Sequence, residues 1–316
     1  NTSNYLIKAL FMCVLEFAVL DSALAQMDHS SMMTGSTTSK PAICMGSGLE
    51  CANAASPFFT VDGKLLLAWT ANGVVSVAQS SDLGKTFSPT VKIAEHGKSL
   101  DVGGDARPQI VADKHKNIFL AYSFFKDGHW NAQVNTARSI DGGNTFSAPT
   151  SLVNDGSSQR FPSALIKPDG SIFISWIDKR LVAAAKQGGE ERLGGSIAYA
   201  FSQDGGNVFQ AERFANESSC ECCRIGAALD PQGHPVIVYR AIFPGGIRDQ
   251  ATQVIAAKGA EPVRRVADDD WKTDACPHHG PSIAVSELAY SPPGAEQLFF
   301  DVSFGVAPGE HAAIVG

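Results

Sequence analysis

The chain has 316 residues, 44% hydrophobic and 18% charged, which is enough apolar material to bury a large core. Its net charge of -7, with no basic cluster to displace counterions from a phosphate backbone, excludes nucleic acid as a partner. Its 30 glycines and recurrent Asp-Gly and Asn-Gly pairs predict many short strands joined by tight turns.

The N-terminus reads as an export signal over residues 1–25. Lys8 precedes the apolar run Ala9–Leu20, and a small-x-small pattern ends at Ala25. The run carries Glu16 and falls short of the roughly 20 apolar residues that a bilayer span needs, so no transmembrane segment is expected. The signal places the chain in the periplasm or outside the cell; the competing reading is a buried N-terminal helix. Residues 26–54 form a flexible Met/His/Ser-rich segment in which Met27, His29, Met32 and Met33 are soft or borderline metal donors, or else a plain linker. Cleavage removes Cys13 and leaves Cys44, Cys51, Cys220, Cys222, Cys223 and Cys276, an even set for which an oxidising compartment favours disulfides. Cys44 and Cys51 are expected to close a short loop.

Residues 55–316 carry a repeat. Ser80–Ser88, Ser139–Ser147 and Ser202–Gln210 share the pattern Ser-x-Asp-x-Gly, with aspartates at Asp82, Asp141 and Asp204, 59 and 63 residues apart. Each aspartate can accept backbone N–H groups of its own turn, and the glycines permit positive φ. Apolar strands precede every copy, as in "GKLLLAWTANGVVSVAQS", and a further strand ending in an Asp-Gly-like turn precedes those. Four strands per unit is the grammar of a propeller blade. A fourth unit, from "RIGAALDPQGHPVIVYRAIF", lacks a box, and a fifth begins at Gly280. After Val285 no alternating strand pair is recognised.

These boxes resemble the Asp-boxes of the sialidase superfamily, over roughly residues 55–290. The resemblance implies an all-β fold, a six-bladed β-propeller with about five blades visible in this chain. It also implies an exo-α-sialidase activity on terminal sialic acids, with three arginines on the substrate carboxylate, an aspartic acid/base, and a tyrosine tuned by a glutamate. The positions offered are Arg107, Arg160, Arg224 and Arg240, beside Arg180 and Arg248; Asp105 or Asp178 as the acid; and Glu217 or Glu221 as the glutamate. Tyr290 is the only late tyrosine. The arginine contexts "ARPQ" and "RFPS" match the superfamily's Arg-Ile-Pro signature only in part, and each arginine has a plain alternative as one half of a surface ion pair.

Antiparallel alternation puts the connections between blades, and the loops between second and third strands, on the face away from the boxes. "DARP", "QRFP", "CECCR" and "CPHHGP" lie before first strands, and "FFKDGHW", "WIDKR" and "YRAIFPGGIRD" lie after second strands. All are expected near the mouth of the central channel. Cys220, Cys222, Cys223, Cys276, His278 and His279 there suit copper(I) or zinc. Disulfides between neighbouring blades are the alternative, and would leave no cofactor. The expected partners are a metal ion, a small anionic ligand or a sialoglycan, and the chain is expected to be a monomer. A non-catalytic protein-interaction propeller is the third reading.

Overall fold

The computed structural model describes residues 44–266, 268–273, 280–283, 288–290 and 299–302. Four antiparallel sheets follow one another along the chain. The first is β1 (Ala54–Phe59), β2 (Leu65–Ala71), β3 (Val74–Ser80) and β4 (Val91–Glu95), each strand paired with the next. The second repeats this order with β5 (Gln109–Ala112), β6 (Ile118–Phe125), β7 (Ala132–Ser139) and β8 (Thr150–Ser151). The third contains β9 (Gln159–Ile166), β10 (Ile172–Asp178), β11 (Gly195–Ser202) and β12 (Arg213–Ser219). The fourth contains β13 (Gly226–Leu229), β14 (Pro235–Arg240) and β15 (Gln250–Ala256), with β16 (Gly259–Ala260) and β17 (Arg264–Arg265) both on β15. The innermost strands β1, β5, β9 and β13 are successive neighbours, as blades around a common axis require.

The core lies between blades. Along β10 all seven residues are buried, and their side chains alternate between two seams. Ile172, Ile174 and Trp176 join Phe119, Ala121 and Val134 of the second blade, whereas Phe173 and Ile177 join Ile237 and Tyr239 of the fourth. Burial on both faces explains why the strand reads as a continuous apolar run.

Each Asp-box is a self-braced turn between third and fourth strands. In the first, the Ser80 hydroxyl donates to Asp82 Oδ1 at 2.7 Å, the Thr86 amide donates to the same oxygen at 2.9 Å, and the Thr86 hydroxyl donates to Oδ2 at 2.6 Å. Asp141 repeats all three contacts with Ser139 and Thr145. Asp204 accepts from the Ser202 hydroxyl and from the amides of Asn207 and Val208. These donors hold the Asp82 and Asp141 carboxyls at a pKa of about 2, led by the threonine hydroxyls, against an ordinary value near 3.8. A lowered folded-state pKa stabilises the fold above the unfolded value and is lost as pH falls through the folded one. Part of the acid destabilisation is therefore expected between about pH 4 and 2. Asp82→Asn should flatten that part of the curve in pH-dependent urea unfolding, and an unchanged slope would refute the bracing.

Two expectations are corrected. One helix, α1 (Arg180–Gln187), stands between β10 and β11, because "RLVAAAKQ" is rich in strong helix formers and lies outside the sheet. The region after Val285 does hold a strand pair, β18 (Leu288–Tyr290) with β19 (Phe299–Val302), whereas the described residues 280–283 form no strand. The fourth blade has no box; a tight β15–β16 hairpin turns at Ala257 and Lys258 instead.

Candidate functional site

The loops on the face opposite the boxes are tied to one another. Lys126 donates to the carbonyls of Asp155, Gly156 and Ser157, joining the β6–β7 loop to the β8–β9 connection. The insertion around α1 is pinned to the end of the third blade by Lys179–Glu221 and Arg192–Glu217, both at 2.5 Å. The Cys220 amide donates to the Arg240 carbonyl at 2.8 Å, joining the third and fourth blades. The N-terminal edge is fixed as well: Cys44 and Cys51 form the expected disulfide, and Asn72, in the β2–β3 turn, donates to the carbonyls of Cys44 and Gly46.

The arginines separate into unlike environments. Arg160 sits on β9 at a bulge, where Phe161 and Pro162 stand opposite Trp176 and Phe161 adopts a φ of 54°. Its Nε and Nη2 donate to the buried Asp101 at 2.6 and 2.7 Å, and its guanidinium lies over the rings of Phe125, Trp130 and Phe161. The structure therefore ties Arg160 to its own carboxylate and not to a shared anion position. Asp178 is fully buried and accepts from the Trp176 indole and from Arg180, which also pairs with Glu212. Both Asp178 oxygens are committed, so it anchors the α1 insertion. Glu217 and Glu221 are the ion-pair partners just described, and Tyr290 lies within β18.

Arg224 and Arg107 do converge. Arg224 Nη1 donates to Asp105 Oδ1 at 2.6 Å and Nη2 to the Ser282 hydroxyl at 3.1 Å, while the Gly280 amide donates to the same Asp105 oxygen at 3.3 Å. Asp105 is 3% exposed, and its Oδ2 has no hydrogen-bond partner among the described residues. Arg107 is half-buried and its guanidinium makes no hydrogen bond or ion pair among the described residues. Burial, followed by the charge of Arg224, lowers its pKa; Asp105 partly offsets this. Arg240 stacks on Trp271 at 4.6 Å and donates to the Arg248 carbonyl.

The cysteines form the second cluster. Cys220, Cys222 and Cys223 are 1%, 3% and 1% exposed and are thiols. Cys220 Sγ lies 3.4 Å from Cys222 Sγ and 3.6 Å from Cys223 Sγ, and Arg248 Nη1 donates to it at 3.5 Å. All three sulfurs lie within 4.8 Å of one another. Hydrogen bonds from Cys222 and then Cys223 lower the Cys220 pKa, and the Arg248 charge adds to them. Two sulfurs on one tetrahedral ion, each near 2.3 Å from it, would stand about 3.8 Å apart. The cluster is thus close to a metal-binding geometry as folded. The expected disulfide staples do not join these three cysteines to one another. Cys276, His278 and His279 lie outside the described residues. Sequence reasoning named the cysteines from their local spacing, but it missed Asp101 as the partner of Arg160 and did not pair Arg248 with Cys220.

The braced turns, the four-stranded meanders and the ordered inner strands decide the architecture. The fold is a β-propeller. No family model matches the chain, and no curated protein matches it. Among solved structures it is similar to the Hadza microbial sialidase, with a TM-score of 0.49 and 16% identity over 69% of this chain and 47% of that one. It is also similar to a protein of unknown function from Dyadobacter fermentans, with a TM-score of 0.48 and 17% identity over 69% of this chain and 65% of that one. An α-L-arabinanase from Penicillium chrysogenum, solved with arabinobiose, gives a TM-score of 0.49 and 14% identity over 71% of this chain and 69% of its own. The chain spans about half the length of the sialidase.

Proposed function

We propose that this propeller is an exported protein that binds one soft metal ion, copper(I) in preference to zinc, at Cys220, Cys222 and Cys223. The observation that carries the reading is the trio of buried sulfurs within 4.8 Å of one another. Thiolate donors select copper(I) and zinc over hard cations. Three sulfurs complete a copper(I) coordination sphere, whereas structural zinc takes four ligands and the described residues supply three. Arg248 offsets part of the negative charge that three thiolates bring into the interior. No helix among the described residues is long and apolar enough to cross a membrane. The test is a copper(I) titration of reduced protein, read by the ultraviolet thiolate-to-copper absorption and by metal analysis after gel filtration. One retained equivalent is expected for the wild type, and less than a tenth of that for Cys223→Ser. Equal retention by the two proteins would overturn the reading.

A second reading is favoured by a different observation, the half-buried Arg107 guanidinium beside Arg224. Two guanidiniums with one carboxylate between them suit an anionic sugar, whose carboxylate Arg107 would receive while Asp105 fixes Arg224. Sialic acid measured by calorimetry and a fluorogenic sialoside measured by turnover test binding and hydrolysis separately. A charge-assisted hydrogen bond contributes about 1.5–3 kcal/mol, so Arg107→Ala should weaken sialic acid binding by about tenfold or more. Unaltered affinity in that variant removes this reading.

A further inference from the structure

The three thiols have a second chemistry that metal binding does not use. Cys220 is their hub: the sulfurs of Cys222 and Cys223 lie 3.4 and 3.6 Å from its own, and an Arg248 N–H points at it from 3.5 Å. Cys220 and Cys223 also stand in Cys-x-x-Cys spacing, with Glu221 and Cys222 between them. A disulfide would bring the Cys220 and Cys223 sulfurs from 3.6 Å to a bonded separation of about 2.05 Å.

We propose that Cys220–Cys223 is a site of oxidative modification, closed as a disulfide by a small hydroperoxide, and that this bond and a bound soft ion exclude one another. The exclusion rests on the metal reading above; the disulfide does not. The steps balance. The Cys220 sulfur takes one oxygen from hydrogen peroxide as the O–O bond breaks; the thiol becomes a sulfenic acid and the other oxygen leaves as water. The Cys223 sulfur then attacks the sulfenic sulfur; the S–S bond forms, the S–O bond breaks, and the hydroxyl leaves with the Cys223 proton as a second water. Two thiols lose two electrons, and one peroxide becomes two waters. Burial limits the oxidant: all three cysteines are at most 3% exposed, which excludes a bulky disulfide such as oxidised glutathione and leaves a small hydroperoxide as the reagent. The product leaves Cys222 as the one thiol of the trio, and one thiol cannot replace three in holding the ion.

Trypsin releases Phe214–Arg224 with all three cysteines in a single peptide, which makes the test direct. Metal-free, reduced full-length protein is treated with hydrogen peroxide, alkylated and digested. The expected peptide has lost two hydrogens and carries a single alkyl group, on Cys222. Cys222→Ser should still form the link, and Cys220→Ser should not. A wild-type peptide with three alkyl groups after peroxide, or a link that persists in Cys220→Ser, overturns the proposal. Copper(I)-loaded protein separates the two readings. Release of the ion in step with the link supports exclusion, whereas a linked protein that retains its ion sinks it. A chain that forms the link but never binds copper(I) defeats the metal reading alone, and one that binds copper(I) but stays fully alkylated defeats this proposal alone.

Discussion

Asp101→Ala should cost about 3–5 kcal/mol of stability, because it leaves the Arg160 charge without its carboxylate in a site closed by protein. The Asp101 side chain is 3% exposed and that of Arg160 14%, and their two hydrogen bonds at 2.6 and 2.7 Å are the bidentate kind that Lys cannot reproduce. Three aromatic rings remain around the guanidinium, and their attraction to a cation places the expected loss towards the lower end of that range. The Ser123 hydroxyl, which donates to Asp101 at 3.1 Å, loses its acceptor as well. Urea unfolding followed by tryptophan fluorescence measures the loss. Asp101→Ala combined with Arg160→Leu should recover much of it, since an apolar pair carries no buried charge. A single-variant loss below about 1 kcal/mol, or a double variant no more stable than the single one, would show that the pair does not hold the second and third blades together.

The second large effect concerns one glycine position met three times. Gly84, Gly143 and Gly206 occupy the same place in the three boxes, at φ values of 84°, 91° and 86°, and each donates its amide to the box serine. Alanine at any of them incurs about 1–2 kcal/mol for the left-handed backbone. What differs is the wall behind. A Cβ at Gly84 would meet Leu65 at 3.4 Å, an ordinary contact. At Gly143 it would meet the Ile118 terminal methyl at 2.9 Å, which can turn aside. At Gly206 it would lie 2.4 Å from the Phe119 ring, and Phe119 is 1% exposed within the seam between the second and third blades. Overpacking adds about 1–3 kcal/mol there, so Gly206→Ala should lose about 2–5 kcal/mol in all. The expected order is Gly206 worst, Gly143 intermediate and Gly84 mildest, read as urea midpoints. Equal losses at the three sites would mean that backbone strain alone governs the position.

The contrast between what the sequence disclosed and what it withheld follows the range of the interactions. An Asp-box is a local code in which serine, aspartate, glycine and threonine complete one another within a single turn, so Asp82, Asp141 and Asp204 could be read directly. Strand order and the assignment of faces followed from alternation, since β10 needs no distant information to read as buried. The CECCR cluster was legible for the same reason, with its three sulfurs contributed by four consecutive residues. The fate of the arginines was not. Arg160 is claimed by Asp101, 59 residues away, and Arg224 by Asp105, 119 away. Nothing near either arginine announces which carboxylate the propeller will bring to it. Helix α1 was missed for another reason: its alanine-rich propensity was visible, but the repeat grammar claimed the segment as a loop.

Lys126 gives the seam between the second and third blades an unusual property. An ammonium has three N–H donors, and here all three meet carbonyl oxygens, at 3.0, 3.3 and 2.7 Å. Backbone carbonyl oxygens are also among the ligands by which proteins hold calcium. In this chain the positive charge is grafted onto the polypeptide, so no chelator can extract it and no fall in dissolved calcium can loosen that junction. The closure is inherited with the sequence and needs nothing from the medium.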